Sequence, residues 1–196
     1  MLDVYLQQIQ EGYLFSDKSI SVNLDDFESR KQNKLLIVGV AGSGKTTLGE
    51  RIAKKYKAKW ISIDSLWWRL KQKYFKDDEY KDVKKKLEKK VNETVIKYLK
   101  SNERLIIEGV DLLEIYLKQP QYKKLIINQP MIVLGLSSIR AGIRAGRRNM
   151  SREGGESWKE LYWMSEINIR KIEPILKMLR KDIMKLPGAD IKVLNI

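Results

Sequence analysis

The segment Gly39-Val40-Ala41-Gly42-Ser43-Gly44-Lys45-Thr46 fits the pattern G-x-x-x-x-G-K-[ST] and stands between two segments of opposite periodicity. The apolar run Leu35-Leu36-Ile37-Val38 before it reads as a buried strand. After it, Leu48, Ile52 and Tyr56 recur every four residues, as on one face of a helix. A strand, a glycine-rich turn and a helix in that order form a cradle for phosphate. The turn aims successive backbone N–H groups inward, and the helix N-terminus adds partial positive charge. The bare pattern arises by chance in about one chain in a hundred of this length, and its strand and helix flanks lower that figure further. The ligand implied is a nucleoside triphosphate, with ATP expected. Its binding set would be Gly39, Ala41, Gly42, Ser43, Gly44, Lys45, Thr46 and Thr47. Lys45 would reach the β- and γ-phosphates, and the Thr46 hydroxyl would hold Mg²⁺.

Composition removes several chemistries. The 196 residues include no Cys and no His, so disulfides, thiolate catalysis and imidazole bases are excluded. Proton transfer is left to Asp, Glu or Lys. No apolar stretch approaches the ~20 residues that span a bilayer, and the first residues lack a signal-peptide pattern. A cytoplasmic chain without membrane attachment is the expectation. The net charge of +14 favours anionic partners, nucleic acid among them. Much of that excess is Lys scattered among Ile, Asn and Glu, a bias that an A/T-rich genome also produces.

From Lys34 onward, strand and helix signals alternate. Strands are predicted at 34–40, 59–63, 104–108, 131–136 and 190–195. Helices are predicted at about 45–56, 78–100, 111–118, 138–148 and 157–186. This order predicts a three-layer α/β fold, a five-stranded parallel sheet flanked by helices. Val83, Leu87, Val91, Val95 and Leu99 form the buried stripe of the second helix, and the neighbouring lysines its solvated face. Ser157-Trp158-Lys159-Glu160 reads as a capping box opening the last helix, Pro174 as a kink or break in it and Pro187-Gly188 as its stop. Residues 1–33 read as an extension to a nucleotide-binding domain at 34–196. In that extension Leu2, Leu6, Ile9 and Tyr13 indicate a short helix, and Ile20, Val22 and Leu24 a half-exposed strand. The extension would cover the sheet edge or dock a partner.

Two strand ends carry acid. Asp64 closes Trp60-Ile61-Ser62-Ile63, and beside the phosphate-loop strand it would orient or deprotonate an attacking hydroxyl. A cap on the following turn is its alternative. Glu108 closes Leu105-Ile106-Ile107 and suits the acidic partner that polarises a Mg²⁺-bound water. Asp111 is its reserve, with capping of the next helix the preferred role. Ile139-Arg140-Ala141-Gly142 is repeated at once as Ile143-Arg144-Ala145-Gly146 and followed by Arg147-Arg148. On a helix, Arg140, Arg144 and Arg147 or Arg148 share a face. Two glycines weaken such a helix by about 1 kcal/mol each, which suits a lid at about 138–156 closing on phosphate, with Gly154-Gly155 as its exit. An exposed basic helix without a ligand is the alternative. Trp67 and Trp68 would stack on a substrate base or, as preferred here, pack in the core.

With these parts in place, residues 34–196 resemble the P-loop kinases of small metabolites and nucleotides. Ile61-Ser62-Ile63-Asp64-Ser65-Leu66-Trp67 is similar to the strand–Asp segment of uridine kinases, where the Asp contacts the acceptor hydroxyl. Ile106-Ile107-Glu108-Gly109-Val110 resembles the E-G strand end of the same enzymes. The Arg-rich stretch resembles the lid of adenylate-kinase-like enzymes, and small phage-type P-loop kinases and the zeta-toxin group share this order of parts. The D-G-[FY]-P-R segment of nucleoside-monophosphate kinases is replaced by Glu108-Gly109, which argues against a monophosphate acceptor. The N-K-x-D and D-x-x-G signatures of GTPases are missing. The resemblance implies an ATP- and Mg²⁺-dependent phosphotransferase with a small nucleoside- or nucleotide-like acceptor. A polynucleotide 5′-kinase and a non-enzymatic ATP-binding regulator are the rival readings. The oligomeric state stays open.

Overall fold

The structure, a computed structural model, describes residues 19–135, 141 and 166–194. Its centre is a six-stranded sheet, not the five parallel strands expected. The strands are β1 (Ser19–Val22), β2 (Lys34–Val38), β3 (Lys59–Ser62), β4 (Leu105–Glu108), β5 (Met131–Val133) and β6 (Ile191–Leu194), in the order β3-β4-β2-β5-β1-β6. The block β3-β4-β2-β5 is parallel. β1 runs antiparallel to both β5 and β6, so the sheet is mixed. Expected as half-exposed, β1 is buried along its whole length. A strand flanked on both edges and covered on both faces has no solvent side, whatever its alternation of Ser with Ile and Val.

Both faces of the sheet are apolar, and each strand divides its residues between them by the two-residue period of a strand. On one face Leu36, Val38, Leu105, Ile107, Met131 and Val133 meet the larger core. It is covered by α3 (Ile63–Tyr74), α4 (Tyr80–Lys100), α5 (Asp111–Lys118), α6 (Pro120–Ile127) and α7 (Glu173–Ile183). On the other, Leu35, Ile37, Ile106 and Ile132 meet α1 (Leu24–Glu28) through Phe27 and α2 (Lys45–Tyr56) through Ala53. The stripe Val83, Leu87, Val91, Val95 and Leu99 of α4 is fully buried, joined by Ile96. At roughly 1.5–3 kcal/mol for each large apolar side chain, that seam holds α4 against the sheet.

Three helices were not read from the sequence: α1, α3 and α6. For α3, Ile63 and Leu66 are buried and Leu70 packs on the same core, a helical spacing. Strand β3 therefore stops at Ser62, one residue early, and Asp64 lies in the first turn of a helix. β3 pairs with β4 and is separated by it from β2. At Pro174 the last helix continues without a break but is irregular. Residues Asn168–Ile172 form a π-turn that runs directly into α7, with Pro174 in its first turn. Proline has no N–H for the carbonyl four residues back and its ring crowds that group. Here a widened turn stands directly before it. The helix predicted at 138–148, the capping box at 157–160, the glycines at 154 and 155 and the helix near Leu2–Tyr13 lie outside the described residues, apart from Ala141, which is buried.

Candidate nucleotide site

β2 delivers the glycine loop and α2 leaves it. Gly42 and Gly44 take φ of 84° and 93°, a region that side-chain-bearing residues avoid. Gly39 is needed for another reason. A Cβ there would lie 2.7 Å from Ser43 Oγ and 3.0 Å from Leu134 Cβ. The ammonium of Lys45 is folded back into the loop and donates to the carbonyls of Gly39 at 3.1 Å and Val40 at 3.0 Å. Two features of the loop suit an anion. No side chain caps the N-terminus of α2, as at the other described helices, so its first N–H groups keep their positive field. Ser43 Oγ is buried with no hydrogen-bond partner among the described residues. A triphosphate supplies acceptors for both, so these residues fit the expected nucleotide.

Behind the loop, the Thr46 hydroxyl donates to Glu108 Oε1 at 3.1 Å. The two residues expected from sequence to hold Mg²⁺ are thus in contact. The parallel register of β2 and β4, which sets Ile37 opposite Glu108, brings them there. Glu108 is almost fully buried. Loss of water pushes its carboxyl pKa up, a shift opposed by the Ser62 hydroxyl and Lys45 and reinforced by the charge of Asp64. Asp64 itself is exposed, on the turn after Ser62.

Asp111 was expected to cap α5, and the structure corrects this. It is the first residue of that helix, whose N-terminus has no side-chain cap. Asp111 Oδ1 instead accepts the indole N–H of Trp67 at 2.7 Å. Burial and Asp64 raise its pKa, while Trp67 opposes the shift. The two tryptophans part company. Trp67 is half-buried against the core, whereas Trp68 is 66% exposed, so the core reading fails for Trp68. Arg140, Arg144, Arg147 and Arg148, the expected lid, lie outside the described residues.

One residue of the site carries no motif. Asn168 is completely buried, and its side-chain amide pairs with the peptide groups of Ala41. Oδ1 accepts the Ala41 N–H at 3.1 Å, and Nδ2 donates to the Ala41 carbonyl at 3.1 Å. The N–H of Ala41, a residue expected to contact the nucleotide, donates to Asn168 here.

Residues 35–161, more than half of the chain, match the family described as AAA domain. The chain belongs to the AAA domain family. This is a P-loop NTPase-type family that includes kinases, in keeping with the glycine loop and the α/β sheet that carries it. The membership implies nucleotide binding, usually with Mg²⁺. No curated protein matches the sequence. Among the described residues, no helix is long and apolar enough to cross a membrane.

Proposed function

We propose that this AAA-domain chain is an ATP- and Mg²⁺-dependent phosphotransferase whose acceptor is a hydroxyl group on a small molecule. The observation that carries the proposal is the Thr46–Glu108 contact, made within the electrostatic reach of Asp64. Thr46 and Glu108 would hold the metal, with phosphate oxygens and water completing its shell, the usual pattern for Mg²⁺. Bound there, Mg²⁺ supplies positive charge to the phosphates during transfer. The Gly42–Thr47 backbone and Lys45 orient the triphosphate, and Lys45 exchanges loop carbonyls for phosphate oxygens. With no His or Cys in the chain, Asp64 is the group assigned to the acceptor hydroxyl. It is exposed where acceptor can reach it, while Glu108 is buried. Arg140, Arg144, Arg147 and Arg148 are assigned to the transferred group, where guanidinium forks match phosphate oxygens.

The test is acceptor-dependent ADP release. A panel of hydroxyl compounds with ATP and Mg²⁺ should contain at least one that accelerates ADP formation. Asp64→Asn should lower kcat strongly with ATP affinity unchanged, and Lys45→Ala should abolish turnover. ADP release that ignores every acceptor, or undiminished kcat in Asp64→Asn, would overturn the reading.

A further inference from the structure

Between α3, α4 and α5 an open cleft of about 490 Å³ begins at Asp64. Its charged lining is Asp64, Glu88, Asp111 and Glu114 against Lys84 and Lys118, so acid outnumbers base on a chain whose net charge is +14. One of the two lysines is paired with acids of the same lining, which leaves a formal excess of two carboxylates. Lys118 Nζ lies 2.7 Å from Glu114 and 3.6 Å from Glu88. Among the described residues no arginine lines the cleft. The remaining walls are aromatic, from Trp67 and Tyr80. The Trp67 ring is held in place by its hydrogen bond to Asp111, which makes it a fixed surface for a planar or apolar group.

We infer that this cleft receives an acceptor with a hydroxyl, an apolar or planar face and no phosphate of its own: a neutral or cationic small molecule. The inference rests on the phosphotransferase reading for the direction of the hydroxyl, toward Asp64. The exclusion of phosphate rests on the lining among the described residues, with Arg140, Arg144, Arg147 and Arg148 assigned to the phosphate in transfer and not to the acceptor. A site that selects a phosphorylated acceptor needs cationic groups aimed at the anion, typically arginine forks. Here an anion would face excess carboxylate, and like charges brought together discriminate against the wrong partner. A polynucleotide end, with phosphates along its length, is disfavoured for the same reason, even though the chain as a whole is basic.

The experiment uses the full chain and matched pairs: nucleosides with their 5′-monophosphates, sugars with sugar phosphates, and a 5′-hydroxyl oligonucleotide beside its terminal nucleoside. An amino sugar serves as the cationic member. Turnover is measured as labelled phosphate transfer. Binding is measured by calorimetry with a non-hydrolysable ATP analogue already bound. The unphosphorylated member should be favoured at least tenfold in kcat/KM, or in Kd. Glu88→Lys with Glu114→Lys, two positions outside the proposed chemistry, should narrow that preference at least fivefold. Equal or reversed preference overturns the inference, as does a preference that the double variant leaves untouched. So does a failure of every compound to bind. Selective binding without phosphate transfer leaves the cleft inference standing and sinks the phosphotransferase reading instead.

Discussion

Asn168 and Ala41 stand 127 residues apart in the chain and form a reciprocal amide pair, with 3.1 Å in each direction. The pair ties the second residue after the first loop glycine to the helix that follows the Arg-rich segment. Its donor and acceptor match a peptide group in both senses, and only Asn and Gln carry such a planar amide. Asn168→Leu leaves both groups of Ala41 without these partners. A loss of about 1–3 kcal/mol is expected for a buried polar group stranded in this way, read as a lower midpoint in thermal or urea melts. Asn168→Asp keeps the acceptor but loses the donor and brings negative charge toward the phosphate loop. It should fold and bind ATP at least tenfold more weakly. Unchanged ATP affinity in both variants would make the pair a matter of packing alone.

Pro174 lies six residues from Asn168, just past the π-turn that carries it. It removes the N–H that a regular helix would give to the Arg170 carbonyl, and the π-turn at Asn168–Ile172 takes up the difference. Pro174→Ala restores the N–H and a strong helix former. A regular turn would swing Asn168 away from Ala41. The expected outcome is a protein of equal or greater thermal stability with weaker ATP binding and faster hydrogen exchange at the Ala41 amide. Unchanged exchange there would show that the π-turn has another cause.

The sequence made the loop legible because its chemistry is local: glycines, Lys45 and Thr46 work within eight residues. The stripe from Val83 to Leu99 was legible because a helix buries a periodic face. What escaped is nonlocal. Ile20, Val22 and Leu24 read as one half-exposed strand until β5 and β6 are seen on both edges of Ser19–Val22 and Leu24 is found opening α1. Asp64 reads as a strand end because Trp60–Ile63 continues an apolar run, and only the burial of Leu66 shows that the turn to helix has already begun. Asn168 is one polar residue in a helical stretch, and nothing before the fold reveals where its side chain goes. The partition of Trp67 from Trp68 likewise depends on Asp111, 44 residues downstream.

Gly39 and Gly44 should fail for different reasons. Gly39→Ala places a methyl 2.7 Å from Ser43 Oγ and 3.0 Å from Leu134 Cβ. Overpacking of this kind costs typically about 1–3 kcal/mol, so both the melting temperature and ATP affinity should fall. Gly44 has open space around its Cβ position but a φ of 93°. Gly44→Val therefore meets backbone strain even though its Cβ has room, and should remodel the start of α2. Its ATP affinity should fall further than that of Gly39→Ala for a similar change in stability. Melts and nucleotide titrations on the two variants side by side make the comparison.

Glu108 links pH to both stability and metal binding. Burial raises its folded-state pKa above the unfolded value, so the folded protein holds this proton more tightly than the unfolded chain does. The stabilising contribution is complete below the unfolded pKa and is lost as pH rises through the folded one. Wild-type protein without metal should therefore lose stability from this group as pH rises out of the ordinary carboxylate range. Glu108→Gln keeps an acceptor for Thr46 but has no charge to bury. It should flatten that part of the pH profile and melt higher at neutral pH. Mg²⁺ needs the carboxylate, so wild-type Mg²⁺ affinity in the presence of ATP should climb over the same pH interval. In Glu108→Gln it should be weaker and nearly independent of pH. Thermal melts from pH 4 to 8 with and without Mg²⁺, run on both proteins, read all of these effects. A Glu108→Gln variant that melts lower than wild type at neutral pH, with Mg²⁺ affinity intact, would show that the buried carboxylate serves packing and not the metal.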